Sequence, residues 1–438
     1  MATFSEPRWR PPRRLALLGG TTAGSDCLVA LRYLASPRQL VRGPAIAAYE
    51  RAFADEIGVR FAFSFSSGRV GLYGLLRGLG IGGGDEVLLQ VPTHIVVANA
   101  IRYAGATPAY SDCGLDTYTM DLEDAERRIT SRTRALLLQH TFGIPVDMDA
   151  ALALARRYGL VVIEDCVHSL GARYAGRPAG SLGKAAFFST EETKTISSTM
   201  GGMVVTDDAD LADRLRAFQA GCAWPAPSLA ARYVLKLVLY HLLSQPHIHH
   251  RSRPLYERLG RRHGLPRPTS PQETRGLKPP NFEQRLSNAQ AALALRQLRR
   301  LTPNLEHRAA TARAYSAALP DSFAPRPPVG AEPAYVRYPV WVNDRAAAIR
   351  AVAPHSVLGT WFTSVLEESA SPAAGAYAPG SCPRAELAAT HLVNLPTHLR
   401  VQAGDVEAIS SALSGLVSTP SRRDPRVNAR GGLAPIAR

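Results

Sequence analysis

The stretch IEDCVHSLGARYAGRPAGSLGKAAFFSTEETKTISSTMGGMVVT, residues 163–206, decides how the rest of the chain is interpreted. Its pattern predicts one apolar strand ending at Asp165, a second over residues 185–189 and a third over residues 203–206. The carboxyl ends of parallel strands meet at one edge of a sheet, so Asp165 and Lys194 are expected to face the same crevice. A carboxylate and a lysine in one crevice form either a plain ion pair or the two fixed points of a pyridoxal phosphate site.

Four short motifs in this stretch carry a family resemblance. They are Glu164-Asp165-Cys166-Val167-His168, Gly180-Ser181-Leu182-Gly183, Phe188-Ser189 with Lys194, and Gly201-Gly202. In this order and spacing they resemble the DegT/DnrJ/StrS family of aminotransferases, most of which act on keto sugars attached to nucleotides. The resemblance runs from about residue 43 to residue 417.

The resemblance implies a pyridoxal-phosphate enzyme with the α/β fold of aspartate aminotransferase, which is PLP fold type I. That fold has a mostly parallel seven-stranded sheet and a smaller C-terminal α+β domain. The sequence pattern agrees, because strands and helices alternate from residue 61 to residue 220.

The resemblance also assigns roles to residues of the stretch. Lys194 would hold the cofactor and shuttle a proton, while Asp165 would keep the pyridine nitrogen protonated. His168 would lie near the phenolic oxygen of the ring, and Ser189 would bind the phosphate. The alternatives are a structural ion pair for Asp165 and Lys194 and helix-start contacts for His168 and Ser189.

Ser67, Gly68 and Arg69 form a strand–glycine–helix junction, which presents free N–H groups and the positive end of a helix dipole to a phosphate. An ordinary tight turn is the alternative. Members of the family usually have threonine where this chain has Arg69, and a guanidinium can also bind phosphate. The resemblance places His94 where an aromatic ring stacks on the cofactor.

Glu283 occupies the position of an asparagine that, in the family, crosses the dimer interface to the cofactor phosphate. A carboxylate beside phosphate would repel it, so Glu283 cannot simply inherit that role. Pairing with the partner subunit's Arg69 is our hypothesis for its function. A homodimer is expected because the sites of the family form between subunits.

Composition narrows the class of protein. The 438 residues suit a two-domain enzyme. The five cysteines show no CxxC spacing, which argues against a disulfide or zinc framework, and no metal site is predicted. No apolar run reaches transmembrane length, and the apolar run after Arg13-Arg14 ends almost at once, so a cytoplasmic protein without an export signal is predicted.

The net charge of +15 is unevenly distributed and suggests the domain organisation. Residues 1–42 are predicted to be a basic N-terminal arm that packs late or not at all. Residues 43–280 form the cofactor-binding domain, with a basic insert at 222–280. Residues 281–418 form the small domain, which begins with one long connecting helix reaching about Leu319, and residues 419–438 form a disordered basic tail.

The insert contains a helix, predicted from Ser228 to Leu243, that is apolar nearly all round but too short to span a bilayer. Burial in the fold or in a subunit interface is the common reason for such a helix. The alternative is a peripheral membrane contact through residues 228–267, whose basic second half would suit a lipid surface. No nucleic-acid partner is predicted.

The predicted function is transfer of an amino group from an amino acid, with glutamate as the expected donor, to a keto sugar, expected to be nucleotide-linked, in sugar or natural-product biosynthesis. Dehydratase-like or aminocyclitol-forming chemistry is one alternative. The dehydratases of this fold replace the lysine with histidine, so Lys194 counts against that reaction. A non-catalytic regulatory or binding role is the other alternative, supported by the altered positions Arg69, His94 and Glu283.

Overall fold

The structure is a computed structural model that describes residues 13–17, 20–262, 266–319 and 325–419. The helices of these ranges are α1 Gly24–Leu34, α2 Pro37–Leu40, α3 Ala45–Ile57, α4 Gly68–Leu79, α5 Ile95–Tyr103, α6 Leu122–Arg128, α7 Met148–Tyr158, α8 Ala209–Gly221, α9 Pro227–Leu243, α10 His249–Arg262, α11 Asn288–Leu298, α12 Leu301–Ala318, α13 Arg345–Val352, α14 Pro383–His391 and α15 Ala403–Leu413. The strands are β1 Phe61–Phe65, β2 Glu86–Gln90, β3 Thr93–His94, β4 Thr107–Ser111, β5 Thr133–Gln139, β6 Val161–Asp165, β7 Arg173–Tyr174, β8 Arg177–Pro178, β9 Ala185–Ser189, β10 Gly202–Thr206, β11 Ala331–Glu332, β12 Tyr338–Trp341, β13 Leu366–Glu367 and β14 Leu392–Leu395.

The main sheet has seven strands in the order β1-β10-β9-β6-β5-β2-β4. Its pairs from β9 to β4 are parallel, whereas β10 runs antiparallel to both of its neighbours, β1 and β9. Its central strands are apolar runs buried on both faces, as expected for a sheet covered by helices on each side. The predicted mostly parallel seven-stranded sheet is confirmed.

The two faces of the sheet have separate cores, and the side chains of β10 alternate between them. Val204 packs into the cluster that includes residues of α4, α5 and α8. Met203 and Val205 pack into the cluster that includes α3 and α11. Successive side chains of a strand point to opposite faces, so helices cover both sides and leave the carboxyl edge of the sheet open for a site.

The C-terminal part is a smaller α+β unit built around the antiparallel pair β12–β14. Helices α12, α13 and α15 pack on this pair around a core of their own. The prediction of one long connecting helix from residue 283 to Leu319 is wrong. Arg300 has non-helical backbone angles and separates α11 from α12. Helix α11 packs against α3, and α12 packs against α15. The change of direction between α11 and α12 allows each helix to contact its own partner.

The described part of the N-terminal segment is packed, so the prediction of a loosely held arm is wrong there. Leu15 is fully buried and pairs with Ser356 of the small unit. Helices α1 and α2 bury Cys27, Ala30 and Leu40 against apolar side chains of α9 and α11. Residues 1–12 and the predicted tail from residue 420 onward lie outside the described residues.

Helix α9 begins and ends close to the predicted bounds and packs in the fold. It buries Val234 and Leu237 against α1 and α11, whereas Leu235 and Leu242 are 43% and 52% exposed. None of the helices in the described ranges has the length and apolar character needed to cross a bilayer. Burial therefore accounts for one face of α9, and a membrane contact through residues 228–267 stays a prediction.

Candidate functional site

A cavity of about 330 Å³ lies at the carboxyl edge of the main sheet, where β5, β6 and β9 end. Loops after these strands, the start of α4 and the small unit form its walls. Eight of the nine predicted site residues line it, namely Ser67, Gly68, Arg69, His94, Asp165, His168, Ser189 and Lys194. Their convergence follows from the parallel sheet, because most of them lie at or just after a strand end.

Lys194 lies in the loop between β9 and β10 and is almost completely buried. Its Nζ is 4.4 Å from the centroid of the Trp361 ring. Burial lowers the pKa of this amine to about 8; the carboxylates of Glu191 and Asp165 oppose that shift, and the guanidinium of Arg337 adds to it. A much larger fraction of the amine is therefore neutral near pH 7 than for an ordinary lysine.

Asp165 is the last residue of β6 and is fully buried. Its Oδ1 accepts a hydrogen bond from the amide of Val167 at 3.1 Å. Its Oδ2 has no hydrogen-bond partner among the described residues. Burial raises the pKa of Asp165 to about 6, with the Val167 amide and Lys194 acting in the opposite direction. A buried oxygen without a partner requires a donor, which the protonated nitrogen of a pyridine ring would supply.

His168 follows β6 and is buried beside Lys194. The amide of Phe142 donates to its Nδ1 at 3.4 Å, and its ring lies parallel to that of Phe142. The Trp361 ring lies 5.1 Å from it on another side. Burial, together with the charges of Lys194 and Arg337, holds the pKa of His168 well below its ordinary value. The imidazole is therefore neutral, and it has a fixed position in the cavity wall.

The phosphate end of the predicted site is formed by the junction of β1 with α4. Gly202 of the neighbouring strand β10 passes so close that a Cβ there would lie 2.3 Å from the amide nitrogen of Gly68. This approach explains why glycine is needed at position 202. Ser189 lies at the same end, where its Oγ accepts a hydrogen bond from the amide of Glu191. The first amides of α4 and the Ser189 hydroxyl are groups that suit a phosphate.

Arg69 already has an acidic partner, whereas the hypothesis that it binds phosphate treated its guanidinium as available. Its Nη1 lies 2.5 Å from Oε1 of Glu273, and its Nη2 donates to the carbonyl of Pro268. Both partners belong to the insert at 222–280, which therefore forms part of the cavity wall. Phosphate binding by Arg69 stays a prediction, and its guanidinium would have to be shared with Glu273.

Glu283 is the predicted residue that lies outside the cavity lining. Its carboxylate pairs with Lys278 at 2.6 Å and is 41% exposed. The hypothesis that Glu283 neutralises the partner subunit's Arg69 loses its basis, because Glu273 already does so within the chain. A cofactor-binding role for Glu283 stays a prediction that depends on a second subunit.

His94 is fixed by local contacts at the start of α5. Its Nδ1 accepts the amide of Val96 at 3.3 Å, and its Nε2 lies 3.4 Å from Oε2 of Glu368. Its ring lies 6.0 Å from that of Trp361 at a steep angle. These contacts orient the imidazole at the edge of the cavity, and stacking on a cofactor ring stays a prediction.

Sequence analysis missed several residues that line the cavity. Glu191 and Glu192 lie three and two residues before the predicted lysine, and that proximity could have identified them. Arg337 and Trp361 come from the small unit and have no local motif that indicates a site. Their position depends on how the small unit packs against the sheet.

His140, Glu164 and Cys166 lie close together in the core, with one potential ligand atom of each within 4.8 Å of the others. The Glu164 carboxylate already accepts hydrogen bonds from His140 and from the amides of Gly180, Leu182 and Gly183. Burial also raises the pKa of the Cys166 thiol well above its ordinary value. The cluster therefore holds the glycine-rich turn against β6, which gives the Glu164 motif a structural explanation.

Comparison with known proteins finds both related sequences and a related solved structure. The chain is 40% identical over 178 residues to GDP-perosamine synthase of Escherichia coli O157:H7, a match covering 41% of this chain and 49% of that protein. It is 42% identical over 174 residues to GDP-perosamine synthase of Caulobacter vibrioides, covering 40% and 47%. The match spans about half the length of the curated relatives. The structure of DesV from S. venezuelae, solved with a ketimine intermediate, is 28% identical with a TM-score of 0.71, covering 92% of this chain and 98% of that one.

The fold similarity extends to more distant proteins. The aminotransferase PseC of Helicobacter pylori is 20% identical and superimposes with a TM-score of 0.71 over 92% of this chain and 98% of that one, which supports the fold alone. The model of the DegT/DnrJ/EryC1/StrS aminotransferase family matches residues 23–230 and 249–414. The predicted fold type and the family resemblance are thereby confirmed, and the chain belongs to the DegT/DnrJ/EryC1/StrS aminotransferase family.

Proposed function

We propose that the chain is a pyridoxal-phosphate-dependent aminotransferase that moves an amino group from an amino acid to a keto sugar carried by a nucleotide. The observation that carries this proposal is the pair of Lys194 and Asp165 in one buried cavity, where an oxygen of Asp165 has no hydrogen-bond partner in the part of the chain that the structure describes. Membership of the family supports the reaction type. The names of the two GDP-perosamine synthases support a nucleotide sugar as acceptor. Glutamate is the first donor to test.

Residues at both ends of the cavity would suit the cofactor. Asp165 Oδ2 would accept a hydrogen bond from the protonated ring nitrogen, and Lys194 would form the covalent attachment. The amides at the start of α4 and the Ser189 hydroxyl would bind the phosphate. When bound, pyridoxal phosphate supplies an electron sink for the charge left on carbon when a proton is removed next to the amine.

The side chains of the chain would perform the remaining steps. Lys194 would accept the proton from the α-carbon of the bound donor at its Nζ, because the lowered pKa of this amine keeps a useful fraction neutral. Asp165, whose side chain is fully buried, would keep the ring nitrogen in its protonated form. His168 and Trp361 would limit the space beside Lys194 and so would orient the reacting carbon towards the amine.

We also propose that the enzyme works as a homodimer in the cytoplasm. The family expectation of sites that form between subunits supports the dimer. The cysteines at positions 27, 113, 166, 222 and 382 are all free and buried, which supports a reducing compartment.

The test is the visible absorbance of the purified protein, measured before and after adding glutamate. We expect a yellow protein whose band bleaches with glutamate. Lys194→Ala should abolish the band, because the covalent attachment is lost. Lys184→Ala is the matched control, since Lys184 pairs with Asp208 at the surface and should leave the band unchanged.

A different result would favour the non-catalytic alternative. If the protein is colourless and does not take up added pyridoxal phosphate, the aminotransferase proposal is rejected. The Arg69–Glu273 pair would then be the structural reason, because it places a carboxylate beside the expected phosphate position.

A further inference from the structure

Arg337, immediately before β12, presents a buried cation to the cavity. The residue is 5% exposed and lines the cavity beside Lys194. Its Nη1 has no hydrogen-bond partner among the described residues. A buried guanidinium with an unsatisfied donor is costly unless it is paired, so an anionic group is the expected ligand.

Two other cations near this part of the cavity have acidic partners in the described structure. Arg69 pairs with Glu273, and Lys236 pairs with Glu192 at 2.7 Å. Arg337 differs, because its guanidinium lies against a ring: its Cζ lies 4.7 Å from the centroid of Trp361. Burial lowers the pKa of Arg337 to about 10, against the fields of Glu191 and Glu367, so it is charged at neutral pH.

Trp361 links this cation to the reacting amine. The Nζ of Lys194 lies 4.4 Å from the centroid of the same indole ring. Contacts of this kind hold a cation against a ring face. Lys194 and Arg337 therefore both border the part of the cavity beside Trp361.

We propose that Arg337 binds the α-carboxylate of the amino donor, with Trp361 as the residue that positions its guanidinium. This inference rests on the proposed function. In an α-amino acid the carboxylate is one bond from the carbon that carries the reacting amine, so it must lie close to Lys194. The diphosphate of a nucleotide sugar is separated from its keto carbon by the sugar ring and would lie farther away. A planar guanidinium also matches a carboxylate with two parallel hydrogen bonds.

The experiment compares Arg337→Met with the cofactor-loaded wild-type protein, using glutarate as a non-reacting carboxylate. Binding is measured by titration calorimetry, and the donor reaction is measured by the rate at which glutamate bleaches the visible band. We expect Arg337→Met to weaken glutarate binding, and to raise the glutamate concentration for half-maximal rate, by about tenfold to a hundredfold. The bleaching rate at saturating glutamate should change less.

The controls separate this role from a structural one. Arg350→Met removes an exposed arginine of α13 in the same unit and should leave both measurements unchanged. Arg337→Lys keeps the charge but loses the planar fork, and should give an intermediate affinity. If Arg337→Met fails to fold, as judged by thermal unfolding, the lysine variant decides the question.

Two outcomes would overturn the proposal. The first is equal glutarate affinity in wild type and Arg337→Met. The second is weakened binding of a nucleoside diphosphate with unchanged glutarate binding, which would assign Arg337 to the acceptor. If wild-type protein takes up no pyridoxal phosphate while glutarate binding still depends on Arg337, the proposed function is rejected and the carboxylate site stands.

Discussion

The protonation state of Lys194 is set by its burial, and this has a measurable consequence. Only the neutral amine can attack the aldehyde of pyridoxal phosphate, and a group with a lowered pKa becomes neutral at lower pH. We expect the rate at which cofactor-free protein captures pyridoxal phosphate to rise with pH and to level off above about 8. The measurement is the growth of visible absorbance between pH 6 and pH 10 at constant ionic strength.

The reference for this profile is an ordinary lysine, whose pKa is 10.5. A profile that keeps rising towards that value would show that Lys194 is solvated in the free protein. The buried geometry described above would then not represent the state that binds the cofactor.

At the scale of elements, the insert is tied to the loop that carries Lys194. Glu192 of that loop pairs with Lys236 of α9 at 2.7 Å and accepts a hydrogen bond from Tyr240 at 3.0 Å. Burial, followed by the nearby charge of Glu191, raises the pKa of Glu192. Glu192 therefore stays protonated to a higher pH in the folded protein than in the unfolded chain. Its contribution to stability is present at low pH and is lost as the pH rises through its folded pKa.

We predict that Lys236→Met lowers the free energy of unfolding by about 3 kcal/mol at pH 8, because it leaves a buried carboxylate without its cation. The loss should be smaller at pH 6, where Glu192 can take up a proton. Urea denaturation at both pH values provides the measurement.

Two further variants test the cause of that loss. Adding Glu192→Gln to Lys236→Met should recover much of the stability, since no unpaired charge remains. Lys184→Met, which removes an exposed partner of Asp208, should cost far less. An equal loss at pH 6 and pH 8 would contradict the assignment to Glu192.

At the scale of the whole molecule, α1 and α9 pack together and leave large apolar side chains exposed. Leu28 and Leu31 are 70% and 50% exposed, and Leu235 and Leu242 are similarly accessible. Exposed apolar surface of this kind is typical of a subunit interface. We predict that sedimentation velocity gives the mass of two chains, and that Leu235→Glu with Leu242→Glu shifts the equilibrium to one chain.

A matched control is Leu399→Glu, which alters a leucine of similar exposure in the small unit and should leave the dimer intact. If the double variant stays dimeric but no longer binds vesicles that contain anionic lipid, the exposed face belongs to a membrane contact instead. That result would support the prediction of a peripheral membrane contact through residues 228–267.

The sheet and the position of most candidate site residues could be predicted from local sequence patterns. Strands such as β6 and β9 are short apolar runs whose type depends on local composition. Asp165 is the last residue of β6, and Lys194 follows β9 in the next loop. Once parallel strands are predicted, residues at their carboxyl ends must converge. The positions of Ser67, Gly68 and Ser189 in the cavity could be predicted for the same reason.

The pairing of charges could not be predicted and depends on the folded structure. Arg69 is neutralised by Glu273, more than two hundred residues away along the chain, and Lys194 and Arg337 both contact the ring of Trp361. The break at Arg300 likewise depends on two separate packing surfaces. Strands and helices can be predicted because their periodic patterns involve neighbouring residues. Ion pairs and ring contacts join residues that are distant in the sequence, so they depend on how the elements pack.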